Sequence, residues 1–149
     1  MRSDKVLIKE LYLRNIRVLI NSFLFVVCLL PAKSMAKQGL PAERHITEGL
    51  IAISMADTVR NECVTISAQW IPAILYLNSL KQHAIELGYT ASEIKAFIKD
   101  ENEKERLLEV ARTRFEKLGA IADVPSSYCG IGMAEIETGS TIGKLLRVK

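Results

Sequence analysis

With 149 residues, 49% of them hydrophobic and 25% charged, the chain has room for one folded domain built on a single core. Its formal net charge of +3 is a property of the N-terminus: residues 1–36 hold six Lys and Arg against two Asp and Glu, leaving 14 cations and 15 anions in the rest. A near-neutral body gives nucleic acid no support as a partner, and none is expected, because neutralising several phosphates takes a basic face that such a chain would have to segregate.

The N-terminal segment has the three parts of an export signal: a basic stretch to Arg17, an apolar run over residues 18–30 broken only by Asn21 and Ser22, and small residues after it. Ser34-Met35-Ala36 fits the small-x-small cleavage rule and predicts a junction between Ala36 and Lys37. A permanent anchor is the weaker reading, since about 20 apolar residues are needed to cross a bilayer. Val27 stands before Cys28 where lipid attachment requires a small residue, so Cys28 is expected to leave with the signal. The mature protein is then periplasmic or secreted, with no stable membrane anchor. Its two remaining cysteines, Cys63 and Cys129, are predicted to form a disulfide, the alternative being two buried thiols.

Residues 37–41, with Gly39 and Pro41, read as a mobile lead-in. Ile46, Leu50, Ile53, Val59 and Cys63 then recur at helical spacing and predict a first helix with Cys63 at its C-terminal end. A second helix is predicted over residues 67–87, ending at Gly88, with Pro72 tolerated if the helix starts near Trp70. Its dense apolar pattern marks it as the most buried helix. Thr90-Ala91-Ser92-Glu93 is a capping box opening a third helix. A charged helix runs on through Leu107, Ala111 and Phe115 to Gly119, and Asp100 either caps it or lies inside one continuous helix. The charge run at 100–106 pairs signs at helical spacing, as in Asp100 and Lys104, and reads as a solvated face.

After Ala120 come Pro125, two serines and glycines at 130, 132, 139 and 143. Short helical turns at 133–137 and 142–146 are predicted there, and no segment shows the period-two alternation of a strand. The expected fold is all-α: a small bundle of about four to five helices, with a glycine-rich C-terminal segment and one disulfide, over residues 37–149.

No cofactor or catalytic motif stands out. Cys63, Cys129, His45 and His83 are four possible zinc ligands, but zinc sites bring ligands in close pairs and these are isolated along the chain, so no metal is expected. None of the serines lies in a G-x-S-x-G elbow, and Ser140-Thr141 after Gly139 reads as the cap of the last helical turn. Gly139 to Lys144 echoes a phosphate loop with one residue too few between its glycines and Leu145 after the lysine. Trp70 and Tyr128 are predicted core anchors, because aromatics make up only 6% of the chain.

Several short motifs occur in a recognisable order: His45-Ile46, Cys63 before Ile66-Ser67-Ala68, Gly88-Tyr89 before Glu93-Ile94-Lys95-Ala96-Phe97, and Tyr128-Cys129 before Glu135-Ile136 and Gly143. In this the chain resembles a family of exported alphaproteobacterial proteins known only as domain of unknown function 5333, over about residues 42–149. The resemblance implies an all-α extracytoplasmic domain with paired cysteines, and no activity. A basic residue often follows Ser67-Ala68 in that pattern, where this chain has Gln69, which puts an anion-binding role at that position in doubt.

Two functions of different classes follow. The first is a non-enzymatic module binding an envelope protein or other envelope component. The second is a ligand-binding or hydrolytic domain with a site around His45 and the glycine-rich tail, for which His45, Glu48 and Ser140 are the candidate surface. A binding module needs an exposed apolar patch, whereas a ligand site needs a concave pocket with convergent polar groups.

Overall fold

A computed structural model describes residues 37–149, in which Gln38–Lys149 forms one compact unit. The predicted export segment and its predicted junction at Ala36 lie outside the described residues. The all-α expectation holds: five α-helices and a two-stranded ribbon make up the described residues.

Helix α1, Arg44–Glu62, is the central element. Eight of its 19 residues are buried, among them Ile46, Ile51, Met55 and Val59, and they are spread around much of the helix because other elements pack on several sides of it. Its Cys63 cap leads through a short turn into strand β1, Ile66–Ala68. That strand pairs antiparallel with β2, Leu146–Val148, in the register Ile66 to Val148 and Ala68 to Leu146. Three residues are too short to display alternation, which is why the sequence reads Ser67 and Ala68 into the second helix and Leu146 into a helical turn. Gln69 fastens the ribbon, its side-chain amide donating to the Leu146 carbonyl (2.7 Å) and its backbone N–H to the Leu145 carbonyl (2.7 Å).

Helix α2 therefore starts at Trp70 and runs to Glu86, with Pro72 in the first turn where no N–H is needed. It is not the most buried helix: only Leu80 and Ala84 are fully covered. Gly88 (φ 86°) ends it in the left-handed conformation that favours glycine. Tyr89 turns inward, its hydroxyl lying between the Gln38 carbonyl and the Glu43 carboxylate (2.8 Å). Burial, and then the Glu43 hydrogen bond, push that phenol up to about 12. The lead-in expected to be mobile is accordingly packed on the domain: residues Leu40–Ala42 form a 3-10 turn, and Leu40 is buried beside Ile46, Ala84, Tyr89 and Ile94.

The capping box is formed as read, with the Glu93 N–H donating to Thr90 Oγ1 (3.2 Å) and the Thr90 N–H to the Glu93 carboxylate (2.7 Å). It opens α3, Ala91–Lys99. Asp100 decides the question left by the pattern: in extended backbone (φ −73°, ψ 112°) it ends α3 and caps α4, Glu101–Lys117, by accepting from the N–H groups of Asn102 (2.9 Å) and Glu103 (3.2 Å). The charge run is a solvated face, with Lys104 on Glu101 (2.7 Å) and Arg106 on Glu103 (2.8 Å).

Helix α5, Pro125–Thr138, is much longer than the turn predicted at 133–137, and Gly130 and Gly132 lie inside it. A 3-10 turn, Gly143–Leu145, then leads into β2. Cys63 and Cys129 form the disulfide, Cα atoms 5.1 Å apart, tying the end of α1 to the second turn of α5. Around it lies the main core of Met55, Val59, Ile66, Leu107, Phe115 and Leu146.

Tyr128 is half-buried against this core, edge-to-face on Phe115 with ring centroids 5.1 Å apart. Replacing it with Ala should cost about 2 kcal/mol or more, read as a lowered urea midpoint. Trp70 is the opposite case. It is 62% exposed, with the Arg60 guanidinium over its ring at 5.2 Å, so the expectation that it anchors the core is wrong.

Candidate functional site

Positions 45, 48, 49 and 52 fall on one stripe of α1 at helical spacing, and that stripe floors a cavity of about 400 Å³. Its walls come from Tyr76 on α2, Arg114 on α4, Glu135 on α5, and the tail residues Ser140, Thr141 and Ile142. His45, Glu48 and Ser140, selected from sequence as one candidate surface, thus line one cavity although 92 residues separate Glu48 from Ser140.

Glu48 and Arg114 meet as a two-pronged ion pair at 2.7 and 2.8 Å. The Arg114 hydrogen bond holds the Glu48 carboxyl below the usual carboxylate range, against the opposing effect of burial, and Glu48 in turn raises Arg114. Both groups are fixed in their charged forms, the reverse of what a general acid requires. Ser140 donates through Oγ to the Glu135 carboxylate and accepts from the Gly143 N–H (3.0 Å), so it caps the last turn as its sequence context predicts. Its hydroxyl is engaged by a carboxylate and a backbone N–H, and His45 instead sets its ring edge-to-face on His83, with centroids 4.7 Å apart. Burial raises the Tyr76 phenol above its ordinary value.

Arg114, Tyr76 and Glu135 are the cavity residues that sequence reasoning missed. Two of them carried a signal. Arg114 falls on the same helical stripe as buried Leu107 and Ala111, and Tyr76 beside Leu80, so each is a polar group on an inward face that must find a partner or a cavity. Cys63 and Cys129 are spent in the disulfide, and no three metal-ligating side chains gather among the described residues. No helix among those residues is long and apolar enough to cross a membrane.

A second surface lies on α2. Trp70, Ile71, Ile74, Leu75 and Leu77 share its outward half and are between 43% and 74% exposed. Leu77 carries this surface into an apolar hollow between α2 and α3, lined by Leu50, Phe97 and Ile98, and the same three side chains border a further hollow reaching Leu107 and Leu108 on α4.

A family model matches residues 38–147, from the docked lead-in to the second strand. The chain belongs to the family of unknown function DUF5333. Cys63, Cys129, the polar cavity and the apolar surface of α2 all lie within the DUF5333 stretch, and residues 1–37 lie before it. No curated protein matches the chain, and no solved structure does.

Proposed function

We propose that this DUF5333 domain is an exported, non-enzymatic binding module of the cell envelope, docking a partner protein through the outward face of α2. The observation that carries the reading is that face itself: five large apolar side chains stand in water on one helix, while the core beneath is filled by other residues. Scattered exposed apolar residues are ordinary, but a contiguous strip marks an interaction surface. A protein suits it better than an anionic bilayer, because the domain body carries 14 cations against 15 anions and lacks the excess that draws a protein to such lipids. Interleaved Asn78, Ser79 and Gln82 supply polar groups beside the strip, as the rim of a protein interface does.

Export is supported by the basic, apolar and small-residue order ending at Ala36, and by a disulfide of the kind that persists in oxidising compartments. Intact mass of the mature protein should place its first residue at Lys37. A mature form retaining Cys28 would remove the soluble reading.

Docking is tested with a photo-crosslinking residue placed at Ile74, Leu75 or, as a control, exposed Arg112. One envelope protein should be captured from the first two positions and not from the third. With that protein purified, Trp70→Ala and Ile74→Glu should each weaken binding about thirtyfold, the scale of an interface hot spot, and leave the thermal midpoint nearly unchanged. Capture of a second copy of the chain would replace the reading with self-association, and capture of nothing would end it.

A further inference from the structure

We propose that the polar cavity beside α1 binds a small molecule through a primary ammonium group. This cavity is lined by other residues than the α2 strip, and its ligand does not depend on the docking reading.

The wall charges are the starting point. Arg114 and Glu48 neutralise each other through two short contacts, leaving Glu135 as a cavity carboxylate with no cationic partner among the described residues. The Ser140 hydroxyl occupies one Glu135 oxygen, Oε2, and leaves Oε1 open. The hydroxyls of Tyr76 and Thr141 line the same cavity and make no side-chain hydrogen bond among the described residues. A carboxylate oxygen and two hydroxyl oxygens are three acceptors, and an ammonium group has three N–H donors. An anion fits poorly, since the wall's guanidinium is already taken on both prongs and the carboxylate of Glu135 would repel it. A neutral polyol would leave that carboxylate without a counter-charge.

The cavity, at about 400 Å³, falls in the range of small-molecule sites and exceeds what an ammonium head alone needs, so the ligand carries further atoms. These would extend toward His45, which is exposed, and could accept or donate through its imidazole.

Glucosamine and N-acetylglucosamine separate ammonium recognition from sugar recognition, because acetylation removes the charge and keeps the ring. Putrescine tests the ammonium without the sugar. In an amide NMR titration of the purified protein, glucosamine and putrescine should give saturable shifts at Gly49, Glu135 and Thr141, and N-acetylglucosamine should not. Glu135→Gln should weaken glucosamine binding about tenfold or more, as loss of a charge-assisted hydrogen bond does, and Tyr76→Phe about threefold to tenfold. Neither substitution empties a core position, and an unchanged thermal midpoint in each verifies that the fold is intact. Equal binding of the acetylated sugar, full affinity in Glu135→Gln, or no saturable shift with either amine would each overturn the proposal.

Discussion

Gly143→Ala should be the most damaging single substitution in the tail, costing about 3 kcal/mol or more in a urea titration. A Cβ built on Gly143 would stand 1.9 Å from the Glu135 carbonyl oxygen, 2.4 Å from its carbon and 2.8 Å from the Ile136 Cα. All three are backbone atoms of α5, which no rotamer change can move. The last turn must back away from the helix, and it carries Leu145 and Leu146, both buried in the main core, together with the hydrogen bonds that pair β2 with β1. Overpacking ordinarily costs 1–3 kcal/mol, and a clash against backbone belongs at or above the upper end.

Two other glycines calibrate this. At Gly132 the added carbon would meet Val59 Cγ1 at 2.4 Å and Ile66 Cδ1 at 2.8 Å, both side chains fully buried, so Gly132→Ala should also be destabilising, by about 1–3 kcal/mol. At Gly130 there is open space inside a helix, and alanine there should be neutral or stabilising by up to about 1 kcal/mol. Equal effects at all three positions would show that backbone approach is not what these glycines provide.

The same glycines show where the sequence could be read and where it could not. Punctuation written in local chemistry was legible: the Thr90 and Glu93 capping box, Gly88 and Gly119 in left-handed conformation after their helices, and Ser140 capping the last turn. Gly130 and Gly132 use the same letter for helix interior. At Gly132 the reason is nonlocal, a close approach of α5 to Val59 and Ile66, so the predicted helical turn begins only at Met133. The two strands failed for a related cause. Each is three residues long and exists only because its partner lies 80 residues away, so neither shows a period of its own.

Apolar content misled in a different way. Trp70, Ile71, Ile74, Leu75 and Leu77 made α2 look like the centre of the bundle, because hydrophobicity marks what can be buried and not what is buried in this chain alone. The helix that does occupy the centre, α1, is the milder one, carrying Gly49, Ala52 and Ala56 where neighbours come close. Of the cavity, the α1 and tail contributions were legible as His45, Glu48 and Ser140. The α2, α4 and α5 contributions depended on tertiary packing.

Replacing both Cys63 and Cys129 with Ser should cost about 2–5 kcal/mol, a large share of the stability of a domain this size. The bond closes a loop with a sequence separation of 66, for which the chain-entropy model gives roughly 4 kcal/mol of destabilisation of the unfolded state. The exchange itself should add little native strain, since the Thr65 hydroxyl already lies 3.2 Å from Cys63 Sγ and can pair with a serine there. The bond should also be structural and not a redox carrier. Catalytic pairs sit close together at a helix N-terminus, where the helix dipole stabilises the thiolate. Cys63 follows the C-terminal end of α1, where the dipole opposes a thiolate, and is completely buried. Cys129 lies nearer a helix start than its sequence context suggests, in the second turn of α5, but the dipole's influence is confined to the first turn. An attacking thiolate therefore has poor access to one sulfur and little electrostatic help at the other. Peptide mapping without reductant should recover the linked 63–129 pair, and a mild glutathione buffer should leave it intact. Loss of the bond there, or ready electron exchange with a dithiol, would mean that the pair works as a redox couple and that the domain holds its tail onto α1 by packing alone.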